Sequence, residues 1–241
     1  MRRAVILAGG LGTRLRPYTT VLPKPLMPVG DRPILDIVVR QLARAGFERI
    51  TIATGYLAEL IEAFFGDGTR YGVAIDYFRE DEPLGTVGAL SLIDGLDRDF
   101  LVMNGDILTD IDYGALLQGH RDGGQIATIA AHQRDVQVSL GVMRFGHERD
   151  STVVTDYIEK PILSYEVSMG VYCFAPGVRD HIPAGNYLDF PDLILRLIAA
   201  GETVRAWRSE GHWLDIGRPD DYEQAQDEFE QLRHVFLPDG A

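Results

Sequence analysis

The sequence has few of the features that define several large protein classes. Its 241 residues include one cysteine, Cys173, which excludes an intrachain disulfide and is typical of a reducing compartment. Cys173 lies in the apolar run MGVYCFA, so we expect a buried small hydrophobic residue rather than a reactive thiol. Lys and Arg number 23 against 36 Asp and Glu, and the net charge of -13 argues against a nucleic-acid-binding protein.

Long hydrophobic runs are also absent. The first ten residues, MRRAVILAGG, contain the short apolar run AVILA, which is below the roughly 7–15 residues of a signal-peptide core. No stretch approaches the roughly 18 uninterrupted apolar residues of a membrane span. We therefore expect a cytoplasmic protein without a membrane partner. Because no repeat and no Pro- or Ser-rich linker interrupts the chain, we expect one domain over residues 1–241.

Short apolar runs alternate with amphipathic segments in the first half of the chain. The runs are rich in Val, Ile and Phe and predict strands buried on both faces, at 3–8, 49–54, 73–78 and 99–104. The segments between them have apolar residues at helical spacing and predict helices, at 32–46, 57–66 and 86–95. This alternation predicts a Rossmann-like three-layer α/β/α sandwich with a mostly parallel central sheet.

The second half is less regular and predicts more strands than helices. The predicted strands are 125–131, 140–145, 152–158, 168–174 and 203–207. The predicted helices are 113–121, 190–201 and about 218–234, the last with Pro219 and two aspartates in its first turn. We therefore expect the central sheet to be mixed.

The stretch AVILAGGLGTRLRPYTTVLPKPLMPV follows the pattern of a phosphate site. In a parallel sheet the loops at the carboxyl ends of strands carry the ligand. Arg14 offers a guanidinium to phosphate, and Lys24 is a cation on a backbone stiffened by two flanking prolines. The glycines let the backbone approach a ligand and form an anion-binding nest; they are Gly9, Gly10 and Gly12.

Two other nucleotide-binding motifs match the glycine-rich stretch less well. A dinucleotide fold needs G-x-G-x-x-G opening a helix, whereas the register here is G-G-x-G-x-R and prolines at 17, 23, 25 and 28 prevent a regular helix. A Walker loop needs G-K-[ST], which this stretch lacks. A surface loop with incidental charge is the remaining alternative.

Ordered motifs through most of the chain resemble those of the sugar-1-phosphate nucleotidyltransferases. After LAGGLGTRLRPYT and PKPLMPV, the motifs EPLGTVGAL, NGD, IEKP, SMGVY and WLDIG follow in family order. The first of these is closest to members of the mannose-1-phosphate guanylyltransferase type. The resemblance implies a nucleotide-diphospho-sugar transferase fold that converts an NTP and a sugar 1-phosphate to an NDP-sugar and pyrophosphate, with Mg²⁺.

The resemblance also implies how the chain is divided. A nucleotide-binding part covers about 1–110, a sugar-binding part about 111–215, and a final helix about 218–234. It implies Arg14, Lys24 and Asp106 as catalytic residues, with Arg14 on the β- and γ-phosphates and Lys24 near the α-phosphate. The implied nucleotide contacts are Leu7, Ala8, Gly9, Gly10, Gly12, Thr13, Arg14, Glu80, Pro83, Gly85 and Thr86. The implied sugar-phosphate contacts are Lys24, Asn104, Gly141, Glu159, Lys160 and Ser168. A homo-oligomer is left open.

Two aspartates are implied as the Mg²⁺ ligands, because Mg²⁺ takes one or two carboxylates with phosphate and water. They are Asp106, which follows an apolar run, and Asp215 in WLDIG. From the residues alone, Asp106 could instead form a turn and Asp215 cap a helix. Asp110 and Asp112 are further alternatives.

The choice of base depends on Glu80. An ionised carboxylate only accepts hydrogen bonds, which suits the adjacent N1–H and N2–H of guanine better than uracil or thymine, whose one N–H lies between two carbonyls. GTP is therefore the first choice, and UTP or dTTP stays open. A non-catalytic NDP-sugar-binding homologue is disfavoured because the four charged residues Arg14, Lys24, Asp106 and Asp215 are present. A nicotinamide-dependent oxidoreductase is disfavoured because the third glycine of the G-x-G-x-x-G pattern is missing.

Overall fold

A computed structural model describes residues 1–80, 82–146 and 152–237. Within them the strands are β1 (Arg3–Ala8), β2 (Pro28–Val29), β3 (Arg32–Pro33), β4 (Arg49–Thr54), β5 (Ala74–Arg79), β6 (Phe100–Asn104), β7 (Ile107–Thr109), β8 (Ala127–Gln137), β9 (Val142–Phe145), β10 (Val154–Ile158), β11 (Ile162–Phe174), β12 (Val204–Ser209) and β13 (Trp213–Asp215). The α-helices are α1 (Ile34–Arg44), α2 (Ala58–Phe65), α3 (Tyr113–Gly123), α4 (Phe190–Ala199) and α5 (Pro219–Phe236). Short 3₁₀ turns cover Thr13–Leu15, Tyr18–Thr20, Lys24–Leu26, Thr69–Tyr71, Gly88–Ser91 and Pro176–His181.

The central sheet has seven strands in the order β12-β8-β11-β6-β1-β4-β5. The pairs β1–β4, β1–β6, β4–β5 and β8–β12 are parallel. Strand β11 is antiparallel to both of its neighbours, β6 and β8. The predicted mixed, mostly parallel sheet is therefore confirmed.

Two hydrophobic cores cover the two faces of this sheet. Along β1 the side chains alternate, with Ala4 and Ile6 in one core and Val5 in the other. The first core contains buried residues of α1, α2, α3 and α5, and the second contains those of α4 and of two 3₁₀ turns. The three-layer α/β/α prediction is confirmed, with an unequal distribution of α-helices between the layers. None of the helices in the described part of the chain has the length and hydropathy needed to cross a membrane.

The predicted helix over 86–95 is wrong. The structure has only the 3₁₀ turn Gly88–Ser91 there. The reason is tertiary packing: the Val87 N–H donates to the Leu188 carbonyl at 3.0 Å, and Gly88 lies directly against the Asn186 carbonyl. Packing against the segment before α4 therefore outweighs the helical spacing of the apolar residues.

Strands β8 and β11 extend well past the sheet. Residues 133–137 and 162–166 pair with each other, whereas β12 and β6 pair only with the inner parts of these strands. We call this paired extension the outer ribbon. Because β8 runs parallel to β12 and β11 runs antiparallel to β6, the outer ribbon projects beyond the edge of the sheet where the parallel strands end.

Candidate active site

The glycine-rich loop begins at the carboxyl end of β1, which is the edge of a parallel sheet where ligand-binding loops are expected. Gly12 has φ +60°, a left-handed conformation that favours glycine, and its carbonyl accepts a hydrogen bond from Thr19 Oγ1 at 2.8 Å. Three 3₁₀ turns follow over Thr13–Leu26, and the first α-helix begins only at Ile34. The prolines therefore replace a regular helix by a tight folded loop, which carries Lys24 back toward the strand ends.

Lys24 and Asp106 form an ion pair at the centre of the site. Lys24 Nζ contacts Asp106 Oδ2, and the two side chains are 11% and 21% exposed. Asp106 lies two residues past the end of β6. Its other oxygen, Oδ1, is buried and has no hydrogen-bond partner among the described residues. Burial of a carboxylate oxygen without a hydrogen-bond partner costs free energy, and a bound cation would remove that cost.

Asp215 lies beside this pair. It ends β13, which pairs with β7 so that Asp215 is opposite Ile107, and the Ile216 N–H donates to the Asp106 carbonyl at 3.2 Å. Burial and the negative charge of Asp106 raise the pKa of Asp215 above its usual range. Asp215 itself is exposed, so the second carboxylate lies at the solvent side of the mostly buried Lys24–Asp106 pair. Among the described residues, no group of three or more His, Cys, Asp or Glu is arranged as a metal site.

A cavity of about 520 Å³ opens at the carboxyl ends of β1, β5 and β6. It contains all the residues predicted to contact the nucleotide, together with Lys24, Asn104 and Asp106. Its lining residues are Leu7, Ala8, Gly9, Gly10, Leu11, Gly12, Thr13, Arg14, Lys24, Pro25, Ala53, Glu80, Pro83, Gly85, Thr86, Asn104, Gly105, Asp106, Tyr187, Asp189 and Gly217. We call it the first cavity.

Glu80 lies in the first cavity just past the end of β5. Its Oε2 accepts a hydrogen bond from the Leu84 N–H at 3.2 Å. Burial raises the pKa of Glu80, and this hydrogen bond opposes the shift. The carboxyl lies near the glycine loop, since a Cβ at Gly9 would be 3.8 Å from Glu80 Cδ.

A second cavity, of about 500 Å³, adjoins the first. Arg14 and Gly217 line both cavities. Around Gly217, a Cβ would lie 3.5 Å from Arg14 Nη1, Asp215 Oδ1 and Asp221 Oδ2, so these three side chains converge there. The remaining lining residues are His132, Gln133, Arg134, Asp135, Trp213, Leu214, Arg218 and Gln224. This second cavity combines arginines with carboxylates, amides and an aromatic ring.

Four residues predicted to contact the sugar phosphate line neither cavity. The outer ribbon carries Gly141, Glu159 and Lys160 away from the strand ends, and all three are exposed or partly exposed. The space beside Gly141, a predicted sugar-phosphate contact, is occupied by the Tyr157 hydroxyl. Ser168 Oγ donates to the Tyr172 hydroxyl at 2.9 Å.

Asp112 and two aromatic residues near Asp215 have structural partners. Asp112 caps α3, with its Oδ1 accepting from the Ala115 N–H at 2.9 Å, so it acts as a capping residue. His212 packs edge-on against Phe236 at 6.5 Å between ring centroids. Trp213 Nε1 donates to the Met169 carbonyl at 3.0 Å. Trp213 also lines the second cavity, a position that the sequence did not indicate.

Sequence reasoning missed one group in the first cavity. Tyr187 and Asp189 reach it from the segment before α4, far along the chain from the glycine loop. Asp189 is the residue immediately before that helix, where an acid is common, so the sequence carries a local signal for a cap. Nothing local indicates that Asp189 binds Thr86, more than a hundred positions earlier.

Comparison with known proteins places this site in a family context. A family model described as nucleotidyl transferase matches residues 3–231. A UTP–glucose-1-phosphate uridylyltransferase from Synechocystis sp. is 36% identical over 243 residues, covering 92% of this chain and 62% of that protein. A mannose-1-phosphate guanyltransferase from Yarrowia lipolytica is 35% identical over 231 residues, covering 91% and 62%. The chain thus spans 62% of the length of these curated relatives.

Solved structures show the same fold. HddC from Yersinia pseudotuberculosis, complexed with GMP-PN, matches with a TM-score of 0.72 at 27% identity, covering 95% of this chain and 100% of that one. A UDP-glucose pyrophosphorylase complexed with UDP-glucose matches with a TM-score of 0.69 at 21% identity, covering 96% and 99%. At the second identity the likeness concerns the fold alone.

Proposed function

Because this chain belongs to the nucleotidyl transferase family, we propose that it transfers a nucleotidyl group from a nucleoside triphosphate to a sugar 1-phosphate and releases pyrophosphate. The observation that carries the proposal is the position of the cations. Lys24 lies in the first cavity, and Arg14 lines both cavities. Two polyanionic substrates that must meet need positive charge where they approach each other, and this arrangement supplies it in a chain of net charge -13.

The geometry supports an in-line attack in which the protein mainly positions the substrates. The glycine loop binds the triphosphate through backbone N–H groups, with Arg14 at the departing phosphates and Lys24 beside the α-phosphate. An oxygen of the sugar phosphate forms a bond to the α-phosphorus while the bond from that phosphorus to the bridging oxygen breaks. The electron pair leaves with pyrophosphate. The attacking oxygen is already ionised at neutral pH, so no general base is needed.

Asp106 and Asp215 are the residues that we propose to hold Mg²⁺. The unpartnered Oδ1 of Asp106 and the raised pKa of Asp215 both fit a position that gains from a cation. When bound there, Mg²⁺ supplies positive charge to the phosphate oxygens. Lys24 pairs with Asp106, and its positive charge opposes the rise in the pKa of Asp215 that burial and Asp106 cause.

GTP is the nucleotide that we favour. Glu80 presents a carboxylate in the first cavity, and only one of its oxygens accepts a hydrogen bond from the described residues. The free oxygen is suited to the adjacent N–H donors of guanine. Relatives named as guanyltransferases and the GMP-PN complex of HddC agree with this choice. The competing choice is UTP, because the relative at 36% identity is named for UTP.

An in-line attack requires the sugar 1-phosphate opposite the departing pyrophosphate, so we propose that it binds on the Lys24 side of the α-phosphate, where Asn104 and Asp106 also line the first cavity. The second cavity adjoins the first at Arg14, on the pyrophosphate side, and its further arginines, Arg134 and Arg218, suit an anion. The predicted contacts from Gly141, Glu159, Lys160 and Ser168 stay predictions. Lys160→Ala is expected mainly to raise the apparent KM for the sugar phosphate.

Pyrophosphate release with a panel of substrates tests the proposed function. GTP, UTP, dTTP and ATP are each combined with mannose 1-phosphate or glucose 1-phosphate in the presence of Mg²⁺. Turnover with GTP above the other three supports the base assignment, turnover with UTP or dTTP alone contradicts it, and no turnover with any pair contradicts the proposed activity.

A variant pair tests the metal assignment. Asp106→Asn should reduce turnover by at least about 100-fold, because it weakens the proposed Mg²⁺ site. Asp112→Asn is the matched control, since Asn caps a helix as well as Asp and this residue lines neither cavity. A fully active Asp106→Asn variant would show that Asp106 is not needed for metal or phosphate.

A further inference from the structure

One aromatic ring in the first cavity has no role in the mechanism above. Tyr187 is 63% exposed, and its ring stacks on no other aromatic ring among the described residues. We propose that Tyr187 forms the surface on which the base of the nucleotide stacks, and that Asp189 is the positioning residue that holds this ring. The inference rests on the proposed function, because it assigns the base end of the same nucleotide site.

The hydroxyl of Tyr187 is fixed by Asp189. Tyr187 Oη donates to Asp189 Oδ2 at 2.7 Å, and this hydrogen bond lowers the pKa of Asp189. The other oxygen, Oδ1, accepts from the Thr86 N–H at 2.9 Å and from Thr86 Oγ1 at 3.2 Å. Thr86 Oγ1 in turn accepts from the Phe190 N–H at 2.7 Å. The Asp189 carboxylate therefore connects the Tyr187 hydroxyl to the turn that contains Thr86 through hydrogen bonds.

The backbone beneath the ring is also fixed. The Leu188 N–H donates to the Leu84 carbonyl at 2.9 Å, and the Val87 N–H donates to the Leu188 carbonyl at 3.0 Å. A Cβ at Gly85 would lie 2.6 Å from that same carbonyl, so glycine is required for the two segments to approach this closely. The ring is thus held in place before a ligand arrives, and little conformational entropy is lost on binding.

The charges of the cavity indicate which part of a nucleotide faces Tyr187. Lys24 and Arg14 lie with Asp106 and the glycine loop, which suits the phosphates. The charged group of the described lining that contacts Tyr187 is the carboxylate of Asp189, which repels phosphate. Asp189 is already fully engaged by Tyr187 and Thr86. An uncharged ring system with hydrogen-bonding edges is the ligand group that matches this end.

Binding measurements on four proteins test the inference. A non-hydrolysable GTP analogue and inorganic pyrophosphate are titrated by calorimetry into the wild type, Tyr187→Ala, Tyr187→Phe and the control Tyr165→Ala. Tyr165 is an exposed tyrosine of the outer ribbon that lines neither cavity. Since base stacking on an aromatic ring contributes about 1–3 kcal/mol, Tyr187→Ala should bind the analogue at least about fivefold more weakly. Tyr187→Phe keeps the ring but loses the hydrogen bond to Asp189, so its loss should lie between the wild type and Tyr187→Ala.

The pyrophosphate titration distinguishes a loss of base stacking from a general loss of the nucleotide site. Pyrophosphate should bind Tyr187→Ala as it binds the wild type, and in turnover this variant should show a raised KM for the nucleotide with little change in kcat. Equal weakening of analogue and pyrophosphate, or unchanged binding of the analogue to Tyr187→Ala, would overturn the inference. Asp189→Asn should give an intermediate loss that is smaller than that of Tyr187→Ala.

The same titrations distinguish this inference from the proposed function. A wild type that binds neither the analogue nor a UTP counterpart overturns both. A wild type that binds the analogue but releases no pyrophosphate with any sugar phosphate overturns the proposed function alone, and the Tyr187 comparison still decides the stacking role.

Discussion

Replacement of Lys24 by methionine tests whether charge balance stabilises the centre of the site. The Lys24–Asp106 pair is mostly buried, and removal of one partner of a buried pair costs about 3–5 kcal/mol. Because some solvent reaches both groups, we expect Lys24→Met to lower the free energy of unfolding by about 2–4 kcal/mol. Asp106→Asn should cost only about 1 kcal/mol, since it also removes the repulsion between Asp106 and Asp215.

Urea unfolding at neutral pH, followed by circular dichroism, gives these free energies for the wild type, both single variants and the double variant. The double variant should lose less stability than the sum of the two single losses. Each single variant leaves one charged group of the pair buried without its partner, whereas the double variant leaves neither. Lys160→Met is the control: this exposed lysine should change stability by no more than about 0.5 kcal/mol. Equal losses for the two single variants, or strict additivity, would refute the reasoning.

Three further predictions concern the loop, a buried carboxylate and the cysteine. Gly12→Ala places a Cβ at φ +60° and 3.2 Å from Lys24 Cβ, so it should cost about 1–2 kcal/mol in urea unfolding and raise the nucleotide KM; an unchanged KM would contradict the role of the loop. Burial opposes ionisation of Asp36, but the hydrogen bonds that its carboxylate accepts, led by that from Tyr71, outweigh burial and lower the pKa of Asp36. The stability that the ionised carboxylate contributes is therefore present at neutral pH and is lost as the pH falls through the lowered pKa. Asp36→Asn should therefore cost about 1–3 kcal/mol at pH 7 and progressively less below about pH 4; a pH-independent loss in unfolding curves would contradict this. Burial raises the pKa of Cys173, so the native protein should resist thiol reagents that react readily in denaturant, and rapid native labelling would be inconsistent with the structure.

The parallel part of the fold could be predicted because its strands are apolar on both faces. The predicted run 49–54 coincides with β4, and 73–78 differs from β5 by one residue at each end. The family resemblance carried by the ordered motifs is confirmed by the family model. The outer ribbon could not be predicted at its full length, because residues 133–137 and 162–166 are mostly exposed and show no alternation that a core would impose.

The candidate site was predictable only where its residues share a local motif. Gly12, Arg14 and Lys24 lie in one stretch whose glycines and prolines already restrict the backbone. Asp189 accepts hydrogen bonds from Thr86 and from Tyr187, and a tertiary pair such as Asp189–Thr86 leaves no trace in a single sequence. The second cavity was missed for the same reason, since β8, β13 and α5 contribute to it together.

The outer ribbon has a consequence for how this chain can change. Its backbone ladder is self-contained in the described residues, and neither hydrophobic core includes residues 133–137 or 162–166. We therefore expect insertions, deletions and substitutions in the outer ribbon to leave the folding of the seven-stranded sheet intact. The constraint on this segment comes instead from the second cavity, which Gln133, Arg134 and Asp135 line.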